Sequence, residues 1–118
     1  MINETVSINP KPIQASPSLA VVIPAYNEAS TIAKVVQTVL AQSLVQEVIV
    51  VDDASRDETW DIIRTLAQNE PRIKPFQHTI NQGKGAALRT GFAQVTAPLV
   101  IVQYSWRRRF TVLPVSQV

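Results

Sequence analysis

The chain has 118 residues, of which 46% are hydrophobic and 17% are charged, and its formal net charge is +2. This length and composition support one modest hydrophobic core, so a single domain is expected. Apart from Arg107, Arg108 and Arg109, the basic residues are scattered among acidic ones, which disfavours a nucleic-acid binder with a basic stripe. The absence of cysteine excludes disulfides, thiolate nucleophiles and thiolate metal sites, and it fits a reducing compartment, by default the cytoplasm.

Residues 1–18 are predicted to form a flexible leader. They are polar and carry Pro10, Pro12 and Pro17, which disfavour both a helix and a paired strand. No apolar run in this segment has the length of a signal peptide, and no later run approaches the length of a membrane span. We therefore expect no membrane-spanning segment in this chain.

A buried strand and an amphipathic helix are predicted after the leader. The run Leu19–Ile23 is apolar, rich in β-branched residues and closed by Pro24, as is typical of a strand covered on both faces. From Ser30 onward, apolar residues recur at spacings of three and four, which places them on one face of a helix. These residues are Ile32, Val35, Val36, Val39 and Leu40.

The same pair of elements is predicted again further along the chain. Glu47–Val51 repeats the pattern of a buried strand. Ser55 and Glu58 have the spacing of a capping box, which predicts that a second helix begins there. This helix is expected to pack through its apolar side chains Trp60, Ile62, Ile63 and Leu66.

Two further strands and a third helix complete the predicted set. Ile73–His78 is expected to be an edge strand, because Pro75 removes a donor from the hydrogen-bond ladder. Gly83–Val95 is predicted to be helical, and Leu99–Val102 is predicted to be the fourth strand. The third helix should present Leu88, Phe92 and Val95 on one face.

Alternating strands and helices predict an α/β fold with a parallel sheet of about four strands and helices on both faces. In such a sheet, ligands bind beyond the carboxyl ends of the strands. The loops that follow the predicted strands are therefore the places where function is expected.

The first of these loops contains Pro24, Ala25, Tyr26, Asn27 and Glu28. The flat ring of Tyr26 and the carboxylate of Glu28 could bind a base and a ribose. A surface turn explains the same residues equally well. In that case Tyr26 is half-buried, and Glu28 is favoured by the positive end of the helix dipole.

The second loop begins with Asp52 and Asp53. Because strand side chains alternate, the two carboxylates should point to opposite sides, so only one can easily face a ligand. We expect Asp52 to cap its own loop and Asp53 to be the carboxylate available for a base edge.

The third loop, Asn81–Ala87, places Gly83, Lys84 and Gly85 at a predicted helix start, where backbone amides and the helix dipole favour anions. It is not a Walker loop, because the required glycine spacing and Ser/Thr are missing. A tight turn into a helix is an equally good explanation of Gly-Lys-Gly. His78, the single histidine, is expected to have a packing or solvent-facing role rather than a catalytic one.

Taken together, three sequence blocks closely resemble the family 2 glycosyltransferases, in both order and spacing. The blocks are Val21–Glu28, Val48–Asp57 and Asn81–Ala87, and the resemblance extends over Leu19–Gln103. The pattern looks most like the polyprenyl-phosphate sugar transferases, typified by dolichol-phosphate mannosyltransferase.

The resemblance implies a Rossmann-like GT-A fold and a UDP- or GDP-linked sugar as donor. Within it, Pro24, Ala25, Tyr26 and Glu28 match the block that wraps the nucleoside, and Asp53 matches the carboxylate that reads the base. Gly83 and Lys84 fall near the diphosphate by the same analogy. The family also implies Mg²⁺ or Mn²⁺, held by an acidic Asp-x-Asp pair directly after the fourth strand.

This chain departs from the family pattern at that acidic pair. Gln103 is followed by Tyr104, Ser105 and Trp106, and no carboxylic acid side chain occurs after Glu70. We therefore expect a metal site to be absent, residues 19–103 to be the first part of a GT-A domain, and the chain to be a truncated, inactive fragment. The acceptor is not identified by the sequence.

Residues 104–118 form an atypical tail, for which a change of reading frame is the expected origin. The alternative is a genuine short variant whose apolar segment Phe110–Val115 folds back as another strand. Truncation after the fourth strand is expected to leave an open sheet edge there.

Two other functional classes compete with a transferase. One is a nucleotide-binding or protein-interaction module without transferase activity. The other is a phospho-acceptor receiver domain, suggested by Val50-Val51-Asp52-Asp53. The receiver fails on placement, because receivers carry their acidic pair after the first strand and this chain carries it after the second.

Overall fold

The computed structural model describes residues 18–105 and the backbone of residues 110–114. Residues 1–17 of the predicted leader and the arginine cluster at residues 107–109 lie outside the described residues. The elements follow one another as β1 (Leu19–Ala25), α1 (Ile32–Leu40), β2 (Val45–Asp52), α2 (Thr59–Gln68), β3 (Ile73–Gln77), α3 (Lys84–Phe92), β4 (Leu99–Gln103) and β5 (Phe110–Pro114).

The strands form one sheet in the order β3-β2-β1-β4-β5. The first four are parallel to one another, as predicted, and β1 lies at the centre between β2 and β4. β3 is at one edge, which confirms the placement inferred from Pro75.

β5 adds an antiparallel strand to the four predicted parallel strands and corrects the expectation of an open edge at β4. It pairs antiparallel with β4, from Leu99 opposite Pro114 to Gln103 opposite Phe110, so the sheet has five strands and the edge of β4 is paired. Residues 104–109 are too few for a parallel crossover, which needs about a dozen residues, so the chain returns antiparallel. Over residues 110–114 the tail therefore folds back as a strand.

The core is built by alternation along the central strands. Val21 and Ile23 of β1 face α1 and α2, together with Val48 and Val50 of β2. The intervening residues Ala20, Val22, Ile49 and Val51 face the opposite side, where Ala87 of α3 is buried and Leu88 and Phe92 pack. Helices therefore cover both faces, and the predicted apolar helix faces are the ones that pack on the sheet.

The capping-box prediction for α2 was wrong. The helix begins at Thr59, and its first turn has no side-chain cap from Glu58. The Ser55 hydroxyl instead donates to Asp52, and the Thr59 amide donates to Oδ1 of Asp57 at 2.9 Å. Local side-chain hydrogen bonds hold residues 55–58 in a loop, which delays the helix.

Glu47 joins the sheet to the segment that precedes β4. Its side chain is buried in the amino-terminal part of β2 and accepts hydrogen bonds from the amides of Thr96 and Ala97, at 2.6 and 2.8 Å. Lys74 Nζ lies 2.6 Å from Glu47 Oε1. The pair satisfies a buried carboxylate at the end of the sheet away from the candidate site.

Candidate functional site

The loops after β1, β2 and β3 meet at one cavity of about 330 Å³ at the carboxyl ends of the strands. All seven residues that the sequence suggested for ligand binding line it: Pro24, Ala25, Tyr26, Glu28, Asp53, Gly83 and Lys84. Asn81, Ala87 and Tyr104 complete the lining.

The loop after β1 is held by side chains from the loop after β2. The Asn27 amide donates to Ser55 Oγ and the Arg56 amide donates to Asn27 Oδ1, both at 2.8 Å. The Glu28 amide donates to Thr59 Oγ1, also at 2.8 Å. Asn27 has a φ of 52°, a left-handed conformation that asparagine tolerates better than most residues. These contacts fix the backbone that carries Tyr26 and Glu28.

Asp52 and Asp53 have separate roles, as the alternation of strand side chains predicted. Asp52 is fully buried and accepts hydrogen bonds from the amide and the hydroxyl of Ser55. It therefore caps its own loop. Asp53 lines the cavity and contacts the loop before α3.

Asp53 is held by three donors. Its Oδ1 accepts from the Gln82 amide and from His78 Nδ1, and its Oδ2 accepts from the Gly83 amide, all at 2.8 Å. Burial raises the pKa of Asp53, but the hydrogen bonds from Gln82, His78 and Gly83 outweigh it and hold the pKa below its usual value. A carboxylate oxygen has two acceptor positions, so Oδ2 is where one more donor could bind.

The turn into α3 differs from the anion site expected from sequence. Gly83 has a φ of 95°, which requires glycine, and α3 begins at Lys84. The amides of Gln82 and Gly83 bind the protein's own Asp53 rather than being free for a ligand. Lys84 Nζ lies 4.9 Å from the ring centroid of Tyr104, a cation–π contact. The lysine thus stands beside the residue that follows β4.

His78 is largely buried, which fits a packing role rather than a solvent-facing one, the two roles that the sequence left open. Its Nδ1 lies 2.8 Å from Asp53 Oδ1, and its Nε2 lies 2.8 Å from Thr90 Oγ1. Thr90 was not predicted from the sequence, and Asn27 was placed in the first loop without a role of its own. The spacing of twelve residues between His78 and Thr90 carries no local pattern, whereas Asn27 in a turn is a known left-handed signal.

The described residues do not fit a divalent metal ion held by a carboxylate pair after β4. Gln103, Tyr104 and Ser105 occupy that position and bear no carboxylate. Glu28 and Asp53 are the only acids that line the described cavity, and Asp53 is already bonded to three protein donors. Mg²⁺ and Mn²⁺ favour several oxygen ligands, and these described residues do not supply such a set.

Residues 20–103 match the sequence pattern of a known protein family, glycosyl transferase family 2. The match extends from β1 through β4 and includes all three loops of the cavity. The chain belongs to glycosyl transferase family 2.

This family 2 chain is 32% identical over 97 residues to dolichyl-phosphate beta-glucosyltransferase ALG5A of Trichomonas vaginalis. The alignment covers 75% of the chain and 30% of that relative. The chain thus spans less than a third of the length of this curated relative.

Two solved structures share the fold, which is the GT-A fold. Mannosyltransferase PcManGT from Pyrobaculum calidifontis, in complex with GDP-Man and Mn²⁺, superposes with a TM-score of 0.70 and 30% identity. That match covers 78% of this chain and 28% of the other. S. aureus TarS 1-349 in complex with UDP gives a TM-score of 0.67 and 27% identity, covering 75% and 27% of the two chains.

Within residues 18–105, none of the helices has the length and hydrophobicity of a membrane-spanning segment.

Proposed function

We propose that this chain supplies the nucleotide-binding part of a family 2 glycosyltransferase and holds the nucleoside diphosphate of a UDP- or GDP-linked sugar. The observation that carries this proposal is that the seven residues suggested by sequence line one cavity. Supporting it, a related structure contains GDP-Man and another contains UDP.

The proposed roles follow from the chemistry of the lining. Pro24 and Ala25 form the wall beside the exposed ring of Tyr26, which offers a flat surface to a base, and Glu28 accepts from ribose hydroxyls. Asp53 accepts from the base edge through Oδ2. Gly83 shapes the turn that presents Lys84, whose ammonium balances diphosphate charge, assisted by the amino end of α3.

A polyprenyl phosphate is the proposed acceptor, because the Trichomonas relative is named for a dolichyl-phosphate substrate. The absence of cysteine supports a cytoplasmic location. The missing carboxylates after β4 support a further proposal, that this chain alone binds nucleotide without transferring sugar. A change of reading frame stays our proposal for the origin of residues 104–118.

Calorimetric titration with UDP, GDP and the matching nucleosides tests the function. Both diphosphates should bind more tightly than uridine and guanosine, and Lys84→Ala should weaken only the diphosphates, by roughly tenfold, because one charge-assisted contact is lost. Lys34→Ala, which removes an exposed charge on α1, is the matched control. Failure of both nucleotides to bind, or equal effects of the two lysine substitutions, would overturn the proposal.

A binding module without transferase activity is the second candidate, favoured by the departure from the acidic motif after β4. Both candidates predict that this chain, tested alone, binds nucleotide without turnover of UDP-glucose or GDP-mannose. Measurable turnover would exclude the binding module, and it would also contradict the proposal that this chain alone transfers no sugar.

A further inference from the structure

A buried chain of hydrogen bonds joins the last turn of α3 to the turn that precedes this helix. His78 lies between Thr90 and Asp53, with 2.8 Å on each side. The side chains of His78 and Asp53 are 9% and 5% exposed. Water therefore competes little for these contacts, which strengthens them relative to exposed ones.

The contacts define the proton positions on the imidazole. The ionised carboxylate of Asp53 only accepts hydrogen bonds, so His78 Nδ1 carries the hydrogen that points to it. In the neutral ring, Nε2 then holds a lone pair and accepts from the Thr90 hydroxyl. Asp53 thus sets the tautomer of His78, and Thr90 helps to fix the orientation of the ring through Nε2.

The chain continues from Asp53 into the backbone of the turn. The amides of Gln82 and Gly83 donate to the two oxygens of Asp53, and Asn81 Nδ2 donates to the Asp53 carbonyl at 3.2 Å. Gly83 adopts a left-handed conformation, which these bonds help to maintain at the position directly before Lys84.

We propose that His78 and Thr90 form a positioning pair, which fixes Asp53 and through it the Gln82–Gly83 turn that places Lys84 for the diphosphate of a nucleotide. The pair does not touch the ligand. It sets the direction of Asp53 Oδ2 and the placement of Lys84, and this part of the inference rests on the proposed function.

Amide hydrogen exchange tests the positioning without any ligand. Thr90→Val keeps the shape of the side chain but removes the hydroxyl, so the exchange of the Gln82 and Gly83 amides should accelerate severalfold while the amides of β1 and β2 keep their rates. Thr90→Ser should restore protection. Thr65→Val is the matched control, because the Thr65 hydroxyl bonds Asp61 within α2, away from the cavity.

The NMR signals of the His78 imidazole provide a second measurement. They would not change if Thr90 had only a structural role. His78 is the single histidine in the chain, so its ring nitrogens give unambiguous NMR signals. All three proteins should contain the tautomer with hydrogen on Nδ1, because Asp53 sets it. Thr90→Val alone should shift the Nε2 signal, because that nitrogen loses its hydrogen bond. In the same samples, Thr90→Val should weaken UDP and GDP binding roughly two- to tenfold, as expected for one lost hydrogen bond.

Unchanged exchange at Gln82 and Gly83 in Thr90→Val, or exchange that accelerates equally throughout the sheet, would overturn the positioning pair. Nucleotide affinity of Thr90→Val equal to wild type would also overturn it. Faster amide exchange and a shifted Nε2 signal in Thr90→Val, together with a wild type that binds no nucleotide, would contradict the proposed function alone and leave the control of the turn established.

Discussion

Asp53 combines an internal role with a place in the wall of the cavity. Three of its acceptor positions are taken by His78 and by the amides of Gln82 and Gly83, and its remaining capacity lies on Oδ2. A base-reading carboxylate held this firmly would be preorganised, so a ligand would not have to order it on binding.

Asp53→Ala should therefore weaken UDP and GDP binding by roughly tenfold to a hundredfold, through the loss of a charge-assisted hydrogen bond and of the ordered turn. Isothermal titration calorimetry measures the effect, with Asp61→Ala on the exposed face of α2 as control. Equal affinities of Asp53→Ala and wild type would exclude Asp53 from the site.

Glu47 is the residue for which pH dependence is most directly expected. Burial raises the pKa of Glu47, but its hydrogen bonds from Lys74, Thr96 and Ala97 outweigh this and lower the pKa below the ordinary 4.5. Because the pKa of Glu47 is lower in the folded state than in the unfolded chain, the ionised carboxylate stabilises the fold. This stabilisation is fully present above pH 4.5 and is lost as the pH falls through the folded-state pKa.

Glu47→Gln should lower the free energy of unfolding at pH 7 by about 1.5 to 3 kcal/mol, the range for hydrogen bonds to charged groups. The difference from wild type should shrink below pH 4.5, as the wild-type carboxylate takes up a proton. Urea denaturation between pH 3 and 7 measures it, with the exposed Glu58→Gln as control. A difference independent of pH would refute this linkage.

The separation of Asp52 from Asp53 was predictable, because it follows from the alternation of side chains along β2. The contacts between Asp53, His78 and Thr90 were not, since they join residues of three segments that approach only after the sheet forms. Sequence spacing gives no information on such a contact.

At the level of elements, α3 approaches the sheet closely at Gly91. A Cβ added there would lie 2.4 Å from Cγ1 of Val22, a fully buried β-branched residue with little freedom to move. Gly85, in the first turn of the same helix, has Arg89 Nη1 as the nearest atom to an added Cβ, at 3.6 Å, which is ordinary contact.

Gly91→Ala should lower the free energy of unfolding by about 1 to 3 kcal/mol, because the helix must shift away from β1. Gly85→Ala, the matched substitution, should raise it by about 0.5 to 1 kcal/mol through better helix propensity. Thermal or urea denaturation compares the two. Equal effects of both substitutions would disprove the close packing of α3 on β1.

Hydrophobic periodicity predicted all four parallel strands and all three helices, because burial dominates the pattern in the core. It failed at the start of α2, where Asp57 and Ser55 form local hydrogen bonds that the capping-box spacing does not distinguish. It also left open the return of the tail as β5, since pairing along an edge depends on the partner strand rather than on local pattern.

At the level of the whole molecule, the match to glycosyl transferase family 2 ends at Gln103, the last residue of β4. The alignment reaches 30% of the Trichomonas relative and 28% of the Pyrobaculum structure. Among the described residues, no three acidic, histidine or cysteine side chains group in a way that could hold a metal ion.

We therefore expect this chain to show no sugar transfer that depends on Mg²⁺ or Mn²⁺, since those ions favour several oxygen ligands. Radiolabelled UDP-glucose and GDP-mannose, each with and without EDTA, provide the assay. Turnover that EDTA abolishes would show that the chain assembles a metal site.

We expect a nucleoside diphosphate to bind where the loops after β1, β2 and β3 meet. Mapping backbone amide NMR shifts during titration with UDP and GDP tests it most directly, because every region of the chain reports at once. A second cavity of about 450 Å³, between the end of α1 and β4, is the natural comparison; it is lined by Thr38, Ser43, Leu44 and Ile101, among others. Saturable shifts concentrated in residues 25–28, 53–55 and 82–85 are the predicted result. Shifts concentrated around Thr38 and Leu44, or no saturable shifts with either nucleotide, would contradict the account.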